Sequence, residues 1–198
     1  MSDFRVRHDV ASTLGSVQMS FRERGFTMLE LLVTVAVIAV LAAIAFPNFK
    51  SVIQSNQIAT ASNEVLAAFS FGRSEAVRTN SSAGICPSST GTSCSGNWDS
   101  GWIVWRDDNA NGSLDGNEAV LRYGQGKGAV TYKGNPPIKF TFDRRGRVVG
   151  SGSNGAALQG SQVFLIQSSS CKAGEVALAR TLTVGVTGQI RISKSNCT

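Results

Sequence analysis

One uninterrupted apolar segment, residues 26–46, constrains this chain of 198 residues more than any other feature of its sequence. Its 21 residues contain a single charged side chain, that of Glu30. At about 1.5 Å per residue, a helix of this length rises roughly 30 Å, which matches the hydrocarbon core of a bilayer. Arg22 and Arg24 precede the segment, and basic residues favour the cytoplasmic side of a membrane. We therefore expect a transmembrane helix here, with the rest of the chain outside the cytoplasm.

Glu30 distinguishes three kinds of segment that share this composition. A secretory signal peptide has a shorter apolar region and a small-x-small cleavage site, which Ala43 and Ala45 would supply. An ordinary membrane anchor explains the length. Neither explains the carboxylate, because an unpaired charge in lipid costs at least about 2.5 kcal/mol. No Lys or Arg lies within the segment, so Glu30 needs a cation from elsewhere. If the chain is cut before Phe26, the new N-terminal amine of a neighbouring subunit would be a suitable one.

The residues around Glu30 carry a family resemblance. Residues 24–32 read RGFTMLELL, which resembles the class III prepilin signal of type IV pilins and type II secretion pseudopilins. The resemblance implies that a prepilin peptidase cuts between Gly25 and Phe26 and methylates the Phe26 amine, so that residues 1–25 form a leader peptide. Glu30 would then act in assembly with other pilins or pseudopilins. The implied location is the bacterial inner membrane, with a cytoplasmic N-terminus and a periplasmic C-terminal domain, and then a pilus or pseudopilus.

The sequence beyond the apolar segment changes character near residue 80. Up to that point apolar residues recur at steps of three and four, namely Ile58, Ala61, Val65, Phe69, Gly72 and Ala76. We expect one helix over residues 26–80, amphipathic in its second half. Seven later runs predict strands, at residues 101–105, 119–123, 129–132, 138–142, 163–167, 177–185 and 189–193, and residues 151–161 predict a flexible loop. A long helix followed by a β-rich domain over residues 81–198 is an α+β layout.

The β-rich region resembles the GspH/FimT family of minor pilins and pseudopilins. The matching segments are FGRSEAVRTN at residues 71–80, ICPSS at 85–89, GWIVWRDDNANGSLDGNEAVLR at 101–122, FTFDRRGRV at 140–148 and LTVGVTGQIRIS at 182–193. The resemblance implies a pilin-like fold, in which the long helix packs on an antiparallel β-domain, and a minor pilin that helps initiate a type IV pilus. A minor pseudopilin of type II secretion is the alternative. The paired cysteines and basic C-terminal half favour the pilus subunit.

The cysteines and the single histidine limit which metal, disulfide and catalytic sites the chain could contain. Cys86, Cys94, Cys171 and Cys197 match no CxxC metal motif and all follow the apolar segment. Outside the cytoplasm we expect two disulfides, and proximity favours Cys86–Cys94 and Cys171–Cys197 among three possible pairings; four free buried thiols are the alternative. The only histidine, His8, precedes the expected cut. The mature chain would lack Ser-His-Asp and Cys-His catalysis, so we do not expect an enzyme.

Residues 107–118, DDNANGSLDGNE, match the twelve-residue calcium loop of EF-hands. The oxygen ligands would come from Asp107, Asn109, Asn111, Asp115 and Glu118. Predicted strands flank this loop, whereas helices flank an EF-hand loop. The alternative is therefore a hairpin loop whose Asp and Asn side chains cap their own turns. Calcium is the one cofactor that the sequence suggests.

Charge is distributed unevenly along the chain. Residues 54–121 contain three Lys or Arg against seven Asp or Glu, whereas residues 122–198 contain eleven against two. A basic half of this kind could attract a polyanion, such as nucleic acid or anionic lipid headgroups, or could be a solvated face. Some FimT-like proteins are thought to bind DNA during natural transformation through Gly-Arg-x-Arg near the C-terminus, which makes a DNA-binding minor pilin a further alternative, but here residues 188–191 read GQIR. Arg144, Arg145 and Arg147 would compensate if the fold brought them near Arg191.

Overall fold

The computed structural model describes residues 25–133, 139–149 and 159–198. Residues 1–24 of the expected leader, residue 138 of the fourth expected strand and residues 151–158 of the expected loop lie outside the described residues. The described chain contains a long helix, α1 (Met28–Thr79), and a short 3-10 helix (Trp98–Ser100). The strands are β1 (Ser82–Pro87), β2 (Gly101–Asp107), β3 (Val120–Gln125), β4 (Val130–Lys133), β5 (Phe140–Phe142), β6 (Gln162–Ser168), β7 (Val176–Val184) and β8 (Ile190–Asn196).

The sequence at the start of α1 favours helix initiation. The backbone N–H of Glu30 donates a hydrogen bond of 3.2 Å to the hydroxyl oxygen of Thr27, the residue ahead of the helix. A threonine followed three residues later by glutamate is the capping-box pattern. The Glu30 carboxylate also lies in the first turn, where the helix dipole favours negative charge. Thr27 and Glu30 therefore help to fix where α1 begins.

The apolar part of α1 exposes its side chains all round. Every large apolar side chain between Phe26 and Phe46 is at least half exposed, Val33 being the least exposed at 50%. By length and composition, α1 is the one helix of the described chain that could cross a membrane. An apolar surface this continuous needs lipid or other apolar helices around it.

A second compact unit begins at Ile44 and contains the second half of α1. The predicted apolar stripe is buried there, as expected, at Ile58, Ala61, Val65, Phe69, Gly72 and Ala76. The Phe69 ring is central to the core, since its centroid lies 5.0 Å from that of Phe140 and 6.3 Å from that of Phe164. These two rings come from β5 and β6, so one helix residue contacts both sheets described next.

Two antiparallel sheets of four strands pack with this half of α1. Their strand orders are β3-β2-β1-β5 and β4-β6-β7-β8, and every neighbouring pair is antiparallel. The backbone N–H of Val148 donates to the carbonyl of Val186 at 3.0 Å, which links the segment after β5 to the segment after β7. The α+β class, with a long helix packed on antiparallel β-structure, is confirmed.

The seven predicted strands omit β1, which the structure places at the centre of the first sheet. Its sequence, SAGICP, contains one β-branched residue, so its strand propensity is low. Gly84 pairs directly with Trp105 of β2, and a Cβ atom at Gly84 would overlap the indole ring. Trp102 covers Gly124 of β3 in the same way. The small residues of β1 are favoured by their cross-strand neighbours, which propensity does not include.

Candidate functional site

The expected cleavage site lies in the short segment ahead of α1. Gly25 is exposed, and no described atom lies within 4 Å of the position that a Cβ atom would take there. Phe26 is 76% exposed. The peptide bond between them is therefore accessible to another protein, as a peptidase would require. Cleavage and methylation at these residues stay a prediction.

The expected assembly residue, Glu30, has its side chain exposed in the first turn of α1. The ion pairs of the described residues involve other carboxylates, so Glu30 forms none with a described cation. A partner for this charge inside a membrane or a filament would have to come from a terminal amine or another subunit. The pairing with a Phe26 amine remains a prediction.

All four cysteines form disulfides, in the pairing that their proximity in the sequence favours. Cys86 bonds to Cys94 and closes the loop between β1 and the 3-10 helix, while Cys171 bonds to Cys197. Backbone hydrogen bonds accompany the second disulfide. The N–H of Gly174 donates to the Cys197 carbonyl, and the Cys197 N–H donates to the Glu175 carbonyl, both at 3.0 Å. The end of the chain is thereby held against the β6–β7 connection.

The loop at residues 107–118 folds around the carboxylate of Asp107. This side chain accepts hydrogen bonds from the backbone N–H groups of Asn111 at 3.1 Å and Gly112 at 2.9 Å. Asp107 is only 1% exposed. Burial raises the pKa of its carboxyl group, and the hydrogen bond from Gly112 opposes that shift. Gly112 has a φ of +71°, as a turn glycine should.

The other four candidate calcium ligands also bond within the loop. One carboxylate oxygen of Asp115 accepts hydrogen bonds of 2.8 Å from the side-chain amides of both Asn109 and Asn111. These bonds lower the pKa of Asp115. The Glu118 carboxylate accepts from the N–H groups of Asp108 and Asp115. The three candidate carboxylates do not converge within 4.8 Å of one another in the described chain.

A self-capped hairpin loop, the alternative raised by the sequence, accounts for these contacts, and we favour it over the calcium site. Asp107→Ala should lower the free energy of unfolding by about 1–3 kcal/mol, because the Gly112 N–H loses its acceptor and the Asn111 N–H keeps only the side-chain oxygen of Asn109. We expect this loss to be the same in a chelator and in millimolar calcium when measured by denaturant unfolding. Asp108→Ala, at an exposed neighbour, is the control. A loss that appears only with calcium would instead identify the carboxylate as a metal ligand.

Three of the candidate DNA-binding arginines lie on a glycine-containing turn, and the fourth, Arg191, lies in β8 just after a second such turn. The first, residues 143–147, follows β5 and is organised by Asp143, whose carboxylate accepts from the N–H groups of Arg145 at 2.9 Å and Arg147 at 2.8 Å. The Arg147 guanidinium also pairs with this carboxylate at 2.8 Å. Burial acts to raise the pKa of Asp143, but the hydrogen bonds from Arg147 and Arg145 outweigh it and lower the pKa.

The second turn, residues 185–189, lies directly against the first. Gly146 and Gly188 are both buried and have φ values of +72° and +77°. A Cβ atom at Gly188 would overlap the carbonyl oxygen of Gly146. That oxygen also accepts a hydrogen bond of 3.1 Å from Nε of Arg73 on α1. The structure thus brings the turn with three arginines beside the turn that leads into Arg191, and sequence reasoning had missed the part played by Arg73.

The four candidate arginines differ in their partners. Arg147 is paired with Asp143, as described above. When the Gln189 amide is oriented with its oxygen towards Arg191, that oxygen accepts from Nη2 at 3.1 Å and Nε at 3.3 Å. Arg144 and Arg145 are exposed and form no ion pair with a described residue. DNA binding through these residues stays a prediction.

Two family models match the sequence. The model described as type II transport protein GspH matches residues 61–188, and the model described as the prokaryotic N-terminal methylation motif matches residues 20–46. A crystal structure of the type IV minor pilin FimU of Pseudomonas aeruginosa is similar at 23% identity and a TM-score of 0.49, over 70% of this chain and 89% of that one. A second crystal form gives 24% and 0.46, over 68% and 90%. No curated protein matches the chain.

Proposed function

The chain belongs to the GspH family of type II transport proteins, and from that premise we propose that it is a minor pilin that a prepilin peptidase matures and that enters a type IV pilus through α1. The observation that carries this proposal is the order of two matched regions, the methylation motif at residues 20–46 and the GspH region at 61–188. The motif supplies a processing signal ahead of an apolar helix. The GspH region supplies the domain that this helix would carry into a filament.

Physical chemistry supports two successive environments for the apolar half of α1. Before assembly, the bilayer would cover the exposed side chains of residues 26–46. In the filament, apolar helices of other subunits would replace the lipid, because both surroundings remove the same surface from water. Arg22 and Arg24 favour a cytoplasmic N-terminus. The two disulfides favour a periplasmic location for the rest of the chain.

Glu30 would then act in assembly rather than in anchoring. Glu30→Ala should leave cleavage largely intact but strongly reduce the amount of subunit in sheared pili, because the amine of a neighbouring subunit loses its carboxylate partner. Glu30→Gln should be equally defective, since the amide keeps the size of the side chain but not its charge. The measurement is quantitative immunoblotting of sheared pili and of membranes from the same cells.

Thr27→Ala is the matched control, because it removes the hydroxyl that accepts the Glu30 N–H without changing charge. A normal amount of Glu30→Gln in pili would contradict the charge pairing. An equal defect in Thr27→Ala and Glu30→Gln would assign the effect to the start of α1.

A minor pseudopilin acting in type II secretion is the alternative function. The two disulfides and the basic second half of the chain are the sequence features that favour the pilus subunit. Deletion of the gene should therefore reduce the number of pili while leaving protein secretion unchanged. Normal piliation with a secretion defect would favour the pseudopilin.

A further inference from the structure

A cavity of about 530 Å³ lies between the end of α1, the loop at residues 108–110 and the turn at residues 143–147. Arg144, Arg145 and Arg147 all contribute to its lining. We propose that this cavity binds the carboxylates of an acidic segment on a neighbouring filament subunit. The identity of the partner rests on the filament function proposed above, whereas the binding chemistry rests on the cavity alone.

The charge balance of the cavity leaves two arginines available. Asp108 and Asp143 are the acidic residues of the lining. Asp108 is paired with Arg106, whose Nε and Nη2 donate at 2.7 and 3.1 Å. Asp143 is paired with Arg147. Each acid is thus neutralised by its own arginine, so the positive charges of Arg144 and Arg145 have no counterpart among the described residues.

The backbone that carries Arg144 and Arg145 is held in place before any ligand arrives. Asp143 fixes the turn through the N–H groups of Arg145 and Arg147. On the opposite side of the turn, the Gly146 carbonyl accepts a hydrogen bond from Arg73 and lies against Gly188. A preorganised turn loses little conformational freedom on binding. A guanidinium on such a support can donate two parallel hydrogen bonds to one carboxylate.

The cavity wall also contains an unusual backbone conformation. Asn80 and Ala110 are the non-glycine residues of the described chain with positive φ, at 52° and 57°, and both line the cavity. Asn80 directly follows α1, and the N–H of Ser81 donates to the Ala76 carbonyl at 3.2 Å, so the conformation of Asn80 belongs to a helix cap. Ala110 lies in the loop that folds around the Asp107 carboxylate, to which its backbone is hydrogen-bonded. Its conformation costs roughly 1–2 kcal/mol, and the hydrogen bonds of that loop hold this part of the cavity wall in place.

The shape and composition of the cavity favour carboxylates over nucleic acid. Its lining contains no aromatic side chain, whereas single strands bind largely by stacking their bases on aromatic rings. Duplex DNA is bound by contacts to several successive phosphates along a surface. Here Arg144 and Arg145 line one cavity, and the two aspartates of its wall are already paired with other arginines. One or two carboxylates of a ligand would be enough to neutralise Arg144 and Arg145.

Fluorescence anisotropy with a labelled hexaglutamate peptide tests the site on the full chain in detergent micelles. We expect the double variant Arg144→Gln/Arg145→Gln to weaken binding at least about tenfold, because charge-assisted hydrogen bonds are lost at both residues. The double variant Arg122→Gln/Lys172→Gln removes the same charge outside the cavity and should change affinity less than about twofold, an effect of long-range electrostatics alone. Arg144→Lys/Arg145→Lys should fall between them, because lysine keeps the charge but lacks the planar fork.

Three results would overturn the proposal: no binding at low salt, equal losses in the two Gln double variants, or tighter binding of a duplex DNA that displaces hexaglutamate. The last would assign the arginines to nucleic acid. The four replaced side chains are exposed, so we expect every variant to fold. Thermal unfolding of each variant checks this. The peptide assay needs no filament. The Glu30 variants therefore test the filament function separately: if it failed, the filament partner would be lost but carboxylate binding in the cavity would stand, and if the peptide failed to bind, the filament function would stand.

Discussion

Gly25→Val is expected to leave nearly all of the chain as uncut precursor, with an unmethylated Phe26. The peptidase must fit the backbone beside the bond that it cuts, and a β-branched side chain at Gly25 fills that space. The substitution should not disturb the chain itself, because no described atom lies within 4 Å of a Cβ atom at this position. Mass spectrometry of membrane-extracted protein would show the precursor in place of a mature chain that starts at a methylated Phe26.

Gly116→Val is the matched control, since this glycine also has open space around it but lies far from the cut in the sequence. It should be processed normally. A mature N-terminus at Phe46, after the small-x-small site of Ala43 and Ala45, would identify an ordinary secreted protein and overturn the proposed maturation.

Gly188→Ala is expected to lower the free energy of unfolding by about 2–4 kcal/mol, one of the larger effects for a single methyl group. Two costs add at this position. The backbone φ of +77° disfavours an L-residue, and the new Cβ atom would overlap the Gly146 carbonyl oxygen. That oxygen is the acceptor for Arg73, so relief of the overlap would also strain a contact between α1 and the turn. Denaturant unfolding of the full chain in detergent would measure the loss.

Gly174→Ala separates these two costs. Gly174 has a φ of +87° but no atom within 4 Å of a Cβ position, so only the conformational cost of about 1–2 kcal/mol should remain. Equal losses in the two variants would mean that the turns move apart easily. The hexaglutamate site, which depends on that support, would then be less preorganised than the structure indicates.

Features encoded by local sequence period or spacing could be predicted from the sequence. The buried stripe of α1 follows from apolar residues at steps of three and four, and the short separations of the cysteines favour the pairing that is observed. The turn chemistry of residues 107–118 was anticipated as an alternative, because Asp and Asn side chains cap nearby backbone.

Features that depend on distant neighbours could not be predicted. β1 is a strand because it pairs with β2 on one side and β5 on the other, and Gly84 leaves room for the Trp105 ring of β2. Its own propensity does not show this. The contact between Gly146 and Gly188 joins residues far apart in sequence. The sequence alone therefore could not show whether Arg144 and Arg145 lie close enough to Arg191 to compensate for the arginine missing from residues 188–191. The cavity beside them is formed by three separate segments and has no motif of its own.

If the chain is built into a filament, as proposed above, the Cys171–Cys197 bond has a mechanical consequence. β8 is an edge strand of the second sheet, and an edge strand pulled from its free end would peel away from β7 one hydrogen bond at a time. The disulfide makes residues 171–197 a closed covalent ring that contains both strands. Tension applied near Cys197 therefore passes through the sulfur bridge to the connection after β6, and the β7–β8 pair is spared from unzipping.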